Sequence, residues 1–300
     1  MAAIDHTRPL TPTGNLRRRR ATDRFMRYGC TLAAAMAVAL LIWVVFSIVQ
    51  RGASAISWSF LTQNAPTTFG VSAVGGGIGN AIIGTAMMVA VATAIALPFG
   101  LLIAVFLTEF ASPRVAGSIR LALDLLYGLP SIVIALFLYG LLVVGNGQAG
   151  VYVSFALAII MMPLIARTTS ESLLLVPKEL RDASHALGIS RWRTTIGIVI
   201  PGALGGVITG TILAVARAGG ETAPVLLLSS LANTSTTSFS IFSQPLNNIP
   251  YDIFNFSEEG GAANIARAWG AALVMIFFVL VLNLVARTLQ SRRNRRMMSR

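Results

Sequence analysis

Long apolar runs separated by shorter polar ones set the pattern of this chain. Six runs stand out, near residues 28–49, 81–107, 121–144, 149–166, 198–231 and 268–289. A helix rising ~1.5 Å per residue needs roughly 20 residues to cross ~30 Å of hydrocarbon, and each of these runs is long enough or nearly so. The pattern therefore predicts an all-α membrane protein with six transmembrane helices. Residues 1–27 form a basic leading tail with Arg17, Arg18, Arg19, Arg20, Arg24 and Arg27; Pro9 and Pro12 argue for disorder ahead of the arginines. Residues 28–49 read as a first anchor, 75–290 as a core of five further spans, and 291–300 as a second basic tail. A cleaved leader competes with the anchor, because Ala53-Ser54-Ala55 has the small residues of a cleavage site. The run is longer than a signal core and its basic lead is long, so a retained anchor is expected.

Punctuation inside the runs predicts where they bend. Pro98, Pro130 and Pro163 each sit within a span, where a missing backbone hydrogen bond permits a kink. Gly145-Asn146-Gly147 marks a tight turn. The fifth run would measure ~51 Å as a straight helix, too long for one crossing. Gly219, Gly220 and Pro224 offer a break, which lipid tolerates only where protein or a water-filled cavity surrounds it. Gly202, Gly206, Gly210, Ala214 and Ala218 recur every fourth residue, a stripe that lets another helix approach closely, within the subunit or across a seam. Residues 232–266 read as a polar loop; its Phe239, Phe242, Tyr251, Phe254 and Phe256 face either an external partner or their own subunit.

Composition agrees with the pattern. The chain has 300 residues, of which 55% are hydrophobic and 11% charged, and its mean hydropathy is +0.75. A net charge of +12 would suit nucleic acid if it were spread or patched on a soluble face. Instead, 20 of the 23 basic residues fall in the four segments on the side of the N-terminus. Arg51 and Arg267 lie on the opposite side, and Arg217 lies within the fifth run. This bias predicts cytoplasmic N- and C-termini and accounts for the charge through topology and anionic lipid, with no role for nucleic acid. Cys30 is the only cysteine, and His6 and His185 are far apart, so neither a disulfide nor a metal site is expected. The single lysine, Lys178, follows Pro177, so no P-loop is present and no nucleotide or other cofactor is expected here.

Two stretches carry candidate chemistry. Arg217 and Glu221 flank the expected break, four residues apart, in the outer half of the fifth run. Ionisable residues at such depth are functional candidates, and a guanidinium offers a planar fork to an oxyanion. An Arg–Glu pair bracing a kink is the competing reading. The second stretch is the polar island from Pro177 to Pro201. Pro177 opens a short helix and Gly188 closes it. Leu180, Ala183 and Leu187 share one face, with Glu179, Arg181 and Asp182 elsewhere on the surface. Ser190 can cap a second helix whose apolar side bears Trp192, Ile196 and Val199. Two short helices joined at a glycine make a stiff knob.

The knob resembles the EAA loop of ABC importer permeases, in which Glu-Ala-Ala is followed by three residues, Gly, nine residues, Ile, one residue and Leu-Pro. The spacing holds through Asp182-Ala183-Ser184, Gly188, Ile198 and Ile200-Pro201, with Asp for Glu, Ser for Ala and Ile for Leu. The stretch Arg217-Ala218-Gly219-Gly220-Glu221-Thr222-Ala223-Pro224 is similar to that of phosphate permeases of the PstA type. So are Gly128-Leu129-Pro130-Ser131-Ile132-Val133, Gly79-Asn80-Ala81-Ile82-Ile83-Gly84-Thr85 and Arg181-Asp182-Ala183-Ser184. The resemblance implies a type I ABC importer permease fold in a bacterial inner membrane and import of inorganic phosphate. It implies a sister permease, two copies of an ATP-binding subunit that does the hydrolysis, and an external phosphate-binding protein. Glu179, Asp182, Ala183, Ser184, Gly188 and Pro201 would couple to the ATPase, while Arg217 and Glu221 would line the substrate path. Sulfate or molybdate is the competing cargo, and a stand-alone channel the competing class.

Overall fold

The computed structural model describes residues 16–65, 76–230 and 236–298. The expectation of disorder ahead of the arginines, and part of the loop expected at 232–266, lie outside the described residues. The chain divides into two compact units, Met1–Gln50 and Arg51–Arg300. The described part of the first is one helix, α1 (Leu16–Gly52), so the arginines from Arg17 onward stand in the same helix as the apolar run.

Among the described residues of the second unit the regular elements are all helices, joined by turns and irregular segments. A 3₁₀ turn at Ala53–Ala55 leads to α2 (Trp58–Thr62), where Ser57 Oγ accepts a hydrogen bond from the Phe60 amide at 3.1 Å. Then come α3 (Gly79–Val105), α4 (Pro113–Gly128), α5 (Ser131–Leu138), α6 (Gly150–Leu174), α7 (Lys178–Ala186), α8 (Arg191–Thr194), α9 (Ile200–Gly219), α10 (Ala223–Leu228), α11 (Ile249–Glu259) and α12 (Ala262–Met298). Three π-turns interrupt this order, at Phe106–Phe110, Tyr139–Val143 and Thr195–Val199. Among the described residues five stretches are long and apolar enough to cross a membrane, or six if a bent pair counts as one.

That bent pair corrects the third expected span. α4 and the stretch Ser131–Val143 meet at 94° instead of forming one rod. Pro130 lacks an amide hydrogen, and the residue before a proline is pushed out of the helical region. Leu129 accordingly sits at φ −67°, ψ 134°. Pro98 and Pro163, expected to act alike, lie inside the unbroken α3 and α6. These two helices pack along each other around a core that includes Met88, Ala92, Ala96, Leu157, Met161 and Ile165, and that burial outweighs the lost hydrogen bonds.

The stretch expected to be a loop is also corrected. It holds α11 and the start of α12. Asn248 caps α11, its Oδ1 accepting from the Tyr251 amide at 2.7 Å, and Pro250 sits in the first turn. Tyr251 and Phe256 are buried, while Phe239 and Phe242 stay exposed.

The small-residue stripe of α9 is used within the subunit. A methyl group on Gly202 would press on Val176, one on Gly206 would overlap Ser172, and one on Gly210 would overlap Thr168. The stripe thus seats α9 against α6 at a separation no larger residue permits.

Candidate functional site

Two regions gather the polar chemistry, one at the break after α9 and one at the knob. α9 stops at Gly219, α10 starts at Ala223 with Pro224 in its first turn, and Gly220 to Thr222 join them. Arg217 Nε lies 3.7 Å from Glu221 Oε1, with the two side chains 37% and 18% exposed. The guanidinium also lies over the ring of Tyr127, 4.7 Å from its centroid. A cation over an aromatic face gains about 0.5–2 kcal/mol, more as water is excluded. Tyr127 is the last residue but one of α4, directly before the 94° bend. Two interrupted helices therefore meet at one side chain. The backbone around Glu221 is held from elsewhere, since Asn248 Nδ2 donates to the Glu221 carbonyl at 3.2 Å.

The face of α4 that bears Tyr127 continues toward its start through Asp124 and Arg120, one helical turn apart. Asp124 lies 3.7 Å from Arg167 on α6, which also meets Glu171 at 3.3 Å. Arg120, Leu123, Asp124, Arg167, Glu171 and neighbouring residues line a cavity of about 310 Å³. Charged side chains on apolar helices are unfavourable against lipid, so this face suits water or protein.

At the knob, α7 ends in a glycine turn. Gly188 has φ +73°; its amide donates to His185 O at 2.9 Å, and the Ile189 amide donates to Ser184 O at 3.1 Å. Pro177 precedes the first helical residue by one position, and Ser190 stands at the start of α8 without a side-chain cap. The two helices are pinned by a buried contact between Ser184 Oγ and Thr194 Oγ1 at 2.7 Å.

The facing of the knob differs from the expectation. Leu180 and Leu187 point outward, 49% and 79% exposed, and Trp192 and Ile196 are exposed as well. The small polar Ser184 turns inward, because two short helices leave room for a hydroxyl pair and none for a leucine. Glu179, Asp182 and Ala183 are exposed, as is Pro201 at the start of α9. Arg181, expected on the surface, is only 17% exposed. It donates to Val176 O at 2.6 Å, to Leu173 O at 2.8 Å and to Glu109 Oε1 at 3.0 Å.

The structure thus brings Arg217 and Glu221 together and keeps Glu179, Asp182, Ala183, Ser184 and Gly188 on one small foot, with Pro201 in the first turn of α9. Sequence reasoning missed Tyr127, Asn248, and the pairing of Arg181 with Glu109. The proline after Tyr127 hinted that a bend would place its ring. Nothing local marks Arg181, whose partner lies 72 positions away.

One turn along α11 from Asn248, Asp252 is buried, with Asn247 Nδ2 donating to one oxygen. Burial pushes its carboxyl up to about 7; the Asn247 hydrogen bond opposes that, and the charge of Glu259 adds to it.

Known proteins resemble this chain in sequence and in fold. Residues 96–299 match the model of the family described as binding-protein-dependent transport system inner membrane component. The phosphate transport system permease protein PstA 1 of Mycobacterium tuberculosis is 34% identical over 93% of this chain and 90% of its own length. The phosphate transport system permease protein PstA of Yersinia pestis is 35% identical over 96% and 98%. A probable ABC transporter permease protein of Bacillus subtilis, YqgI, is 33% identical over 90% and 96%. Among solved structures, a chain of a bacterial alginate ABC transporter in complex with an alginate-bound periplasmic protein superposes with a TM-score of 0.65. That match covers 91% of this chain and 96% of the other at 12% identity. A chain of the MetNI methionine ABC transporter, in an inward-facing conformation, gives 0.53 over 71% and 93% at 14% identity. At these identities the structural matches speak to the fold alone.

Proposed function

The chain belongs to the family of binding-protein-dependent transport system inner membrane components, and we propose that it conducts inorganic phosphate as one permease subunit of an ATP-driven importer. It is a multi-pass inner-membrane protein and a transport subunit, not an enzyme. Hydrolysis belongs to an ATP-binding subunit, present in two copies beneath this chain and a sister permease. An external phosphate-binding protein delivers the cargo. Both termini and the knob lie on the cytoplasmic side, in keeping with the strong bias of basic residues.

The observation that carries the reading is Arg217 at the break between α9 and α10. Its fork is partly exposed, flanked by Glu221 at 3.7 Å and backed by Tyr127. A planar cation held on one face by a ring presents its edge to an oxyanion. Glu221 supplies an acceptor beside it. Monohydrogen phosphate carries a hydroxyl that can donate to this carboxylate, whereas sulfate has none and meets only repulsion. The relatives named for phosphate transport support the same cargo.

Coupling runs through the knob. The exposed Leu180, Leu187 and Trp192 form an apolar tip rimmed by Glu179 and Asp182, suited to a groove on the ATP-binding subunit. Gly188 holds the turn and Pro201 begins the helix that leads back to Arg217.

The experiment is uptake of radiolabelled phosphate by the reconstituted importer, with Arg217→Ala beside the wild type. Loss of uptake with normal co-purification of partners is expected. Normal uptake by the variant overturns the role of Arg217, and preferential uptake of sulfate or molybdate by the wild type overturns the cargo.

A further inference from the structure

Arg181 sits within the coupling segment but does not face outward with it. Its guanidinium is spent inward on three acceptors from two other elements. Two are Leu173 O, in the last turn of α6, and Val176 O, just beyond it; Leu173 O also accepts from the Val176 amide at 3.2 Å. The third is Glu109 Oε1, at 3.0 Å, in the π-turn that closes α3. The two side chains are 17% and 13% exposed, so water screens the pair poorly. A second contact runs parallel to it: Phe110 of the same π-turn and Trp192 of α8 have ring centroids 6.2 Å apart.

We infer that Arg181 and Glu109 form the joint through which the knob drives α3, making Arg181 a positioning residue for coupled transport. The inference rests on the function proposed above. The knob is covalently continuous only with α6 and α9. The connection to α6 is a short extended segment at Val176 and Pro177, and the connection to α9 passes through the π-turn Thr195–Val199. The first is not a stiff link by itself, whereas α8, the π-turn and α9 run on as one helical stretch, Arg191–Gly219. Arg181 closes the first of these gaps with two hydrogen bonds and reaches past it to α3. α3 and α6 already pack as one body around the core. A push on the exposed tip is thereby delivered to the α3–α6 pair through Arg181, and also to α9, with Arg217 at its far end, through the helical stretch that joins it to the knob.

A lysine would keep the charge but cannot serve three acceptors in a plane, because its ammonium lacks the fixed fork. The pair is therefore tested with Arg181→Gln, Arg181→Lys, Glu109→Gln and the double variant Glu109→Gln/Arg181→Gln. Each is purified as the complete importer with its ATP-binding subunit and external binding protein, and reconstituted into vesicles. Phosphate imported per ATP hydrolysed is the readout, with co-purified ATP-binding subunit measured alongside. Arg181→Gln and Glu109→Gln are each expected to lower the ratio about tenfold, with normal amounts of bound ATPase. The double variant should be no worse than Arg181→Gln alone, since both act on one joint. Arg181→Lys should fall between Arg181→Gln and the wild type. A wild-type ratio in Glu109→Gln, which leaves the bonds to α6 intact, overturns the inference even if Arg181→Gln fails to assemble. Multiplied losses in the double variant overturn it as well. A wild-type importer that hydrolyses ATP but imports no phosphate refutes the cargo instead, a result distinct from either.

Discussion

Two Arg–Glu pairs of this protein invite comparison, because the same chemistry has been placed in opposite circumstances. Arg181 and Glu109 come from positions 72 residues apart, touch at 3.0 Å and are both largely buried. Arg217 and Glu221 are neighbours on the chain, stand 3.7 Å apart, and Arg217 is more than a third exposed. Arg181 spends both terminal nitrogens of its fork on two carbonyls and a carboxylate. Arg217 has its flat face covered by Tyr127 and a loose ionic neighbour. A buried guanidinium bound to three acceptors holds parts together, since withdrawing one partner leaves a buried charge at a cost of roughly 3–5 kcal/mol. A guanidinium held by its face can exchange an edge partner cheaply, which is what a passing anion requires. The difference lies in burial and in the number of acceptors, not in residue type.

The comparison breaks most directly at Arg217. Arg217→Ala should reduce phosphate uptake about a hundredfold or more while the complex assembles, as measured by radiolabelled uptake beside co-purification. Unimpaired uptake would remove the anion from this pair and leave it a brace for the kink.

A smaller loss tests the foot to which Arg181 belongs. Gly188→Pro, or charge reversal at Asp182, should cut phosphate-stimulated ATP hydrolysis about tenfold, because the first removes the left-handed turn and the second disturbs the rim of the tip. Vesicle ATPase assays with and without loaded binding protein measure it; full stimulation in both variants would sink the role of the knob.

Smaller again is the effect of the ring beneath Arg217. Tyr127→Leu should raise the KM for phosphate delivery about threefold to tenfold with little change in maximal rate, since the lost cation–π contact is worth only about 1 kcal/mol. Tyr127→Phe keeps the face and should stay near the wild type. Equal defects in the two variants would point to the hydroxyl and contradict this account.

The smallest effect concerns a third carboxylate, one without a salt bridge among the described residues. Asp252 is buried with Asn247 as its donor, and its carboxyl is pushed up to about 7 by burial. Its folded value lies above its unfolded value of 3.8, so the contribution to stability is complete below about 4 and is lost as pH rises through 7. The melting temperature in detergent should fall by a few degrees between pH 5 and pH 8, and Asp252→Asn should flatten that dependence. A slope unchanged in the variant would assign it to another group.

Much of this was legible in the chain because membranes impose simple rules. Spans two, four and six appear near their expected places as α3, α6 and α12, since length and apolarity suffice when no water competes for the backbone. The fifth run shows the break suggested by Gly219, Gly220 and Pro224, because glycine and proline act locally. The site was half legible. Arg217 and Glu221 stood out as charges in an apolar run, and Gly188 as a helix stop. Tyr127 did not stand out, because one tyrosine in a helix carries no sign of what lies across from it.

What the sequence determined by itself, then, is the helical class, the approximate spans, the charge asymmetry, and the resemblance that points to a permease. These are properties of composition and short-range order, each readable within a window of some twenty residues. Tertiary structure alone decided which prolines bend. Pro163 is clamped in a packed helix, whereas Pro130 sits where α4 can turn away by 94°. It decided that the glycine stripe of α9 is consumed against Ser172 and Thr168, and that the leucines of the knob face outward. It also decided which arginine is locked and which is loosely held. Those outcomes depend on contacts between positions far apart in the chain, where packing and desolvation outweigh the preferences of any single residue.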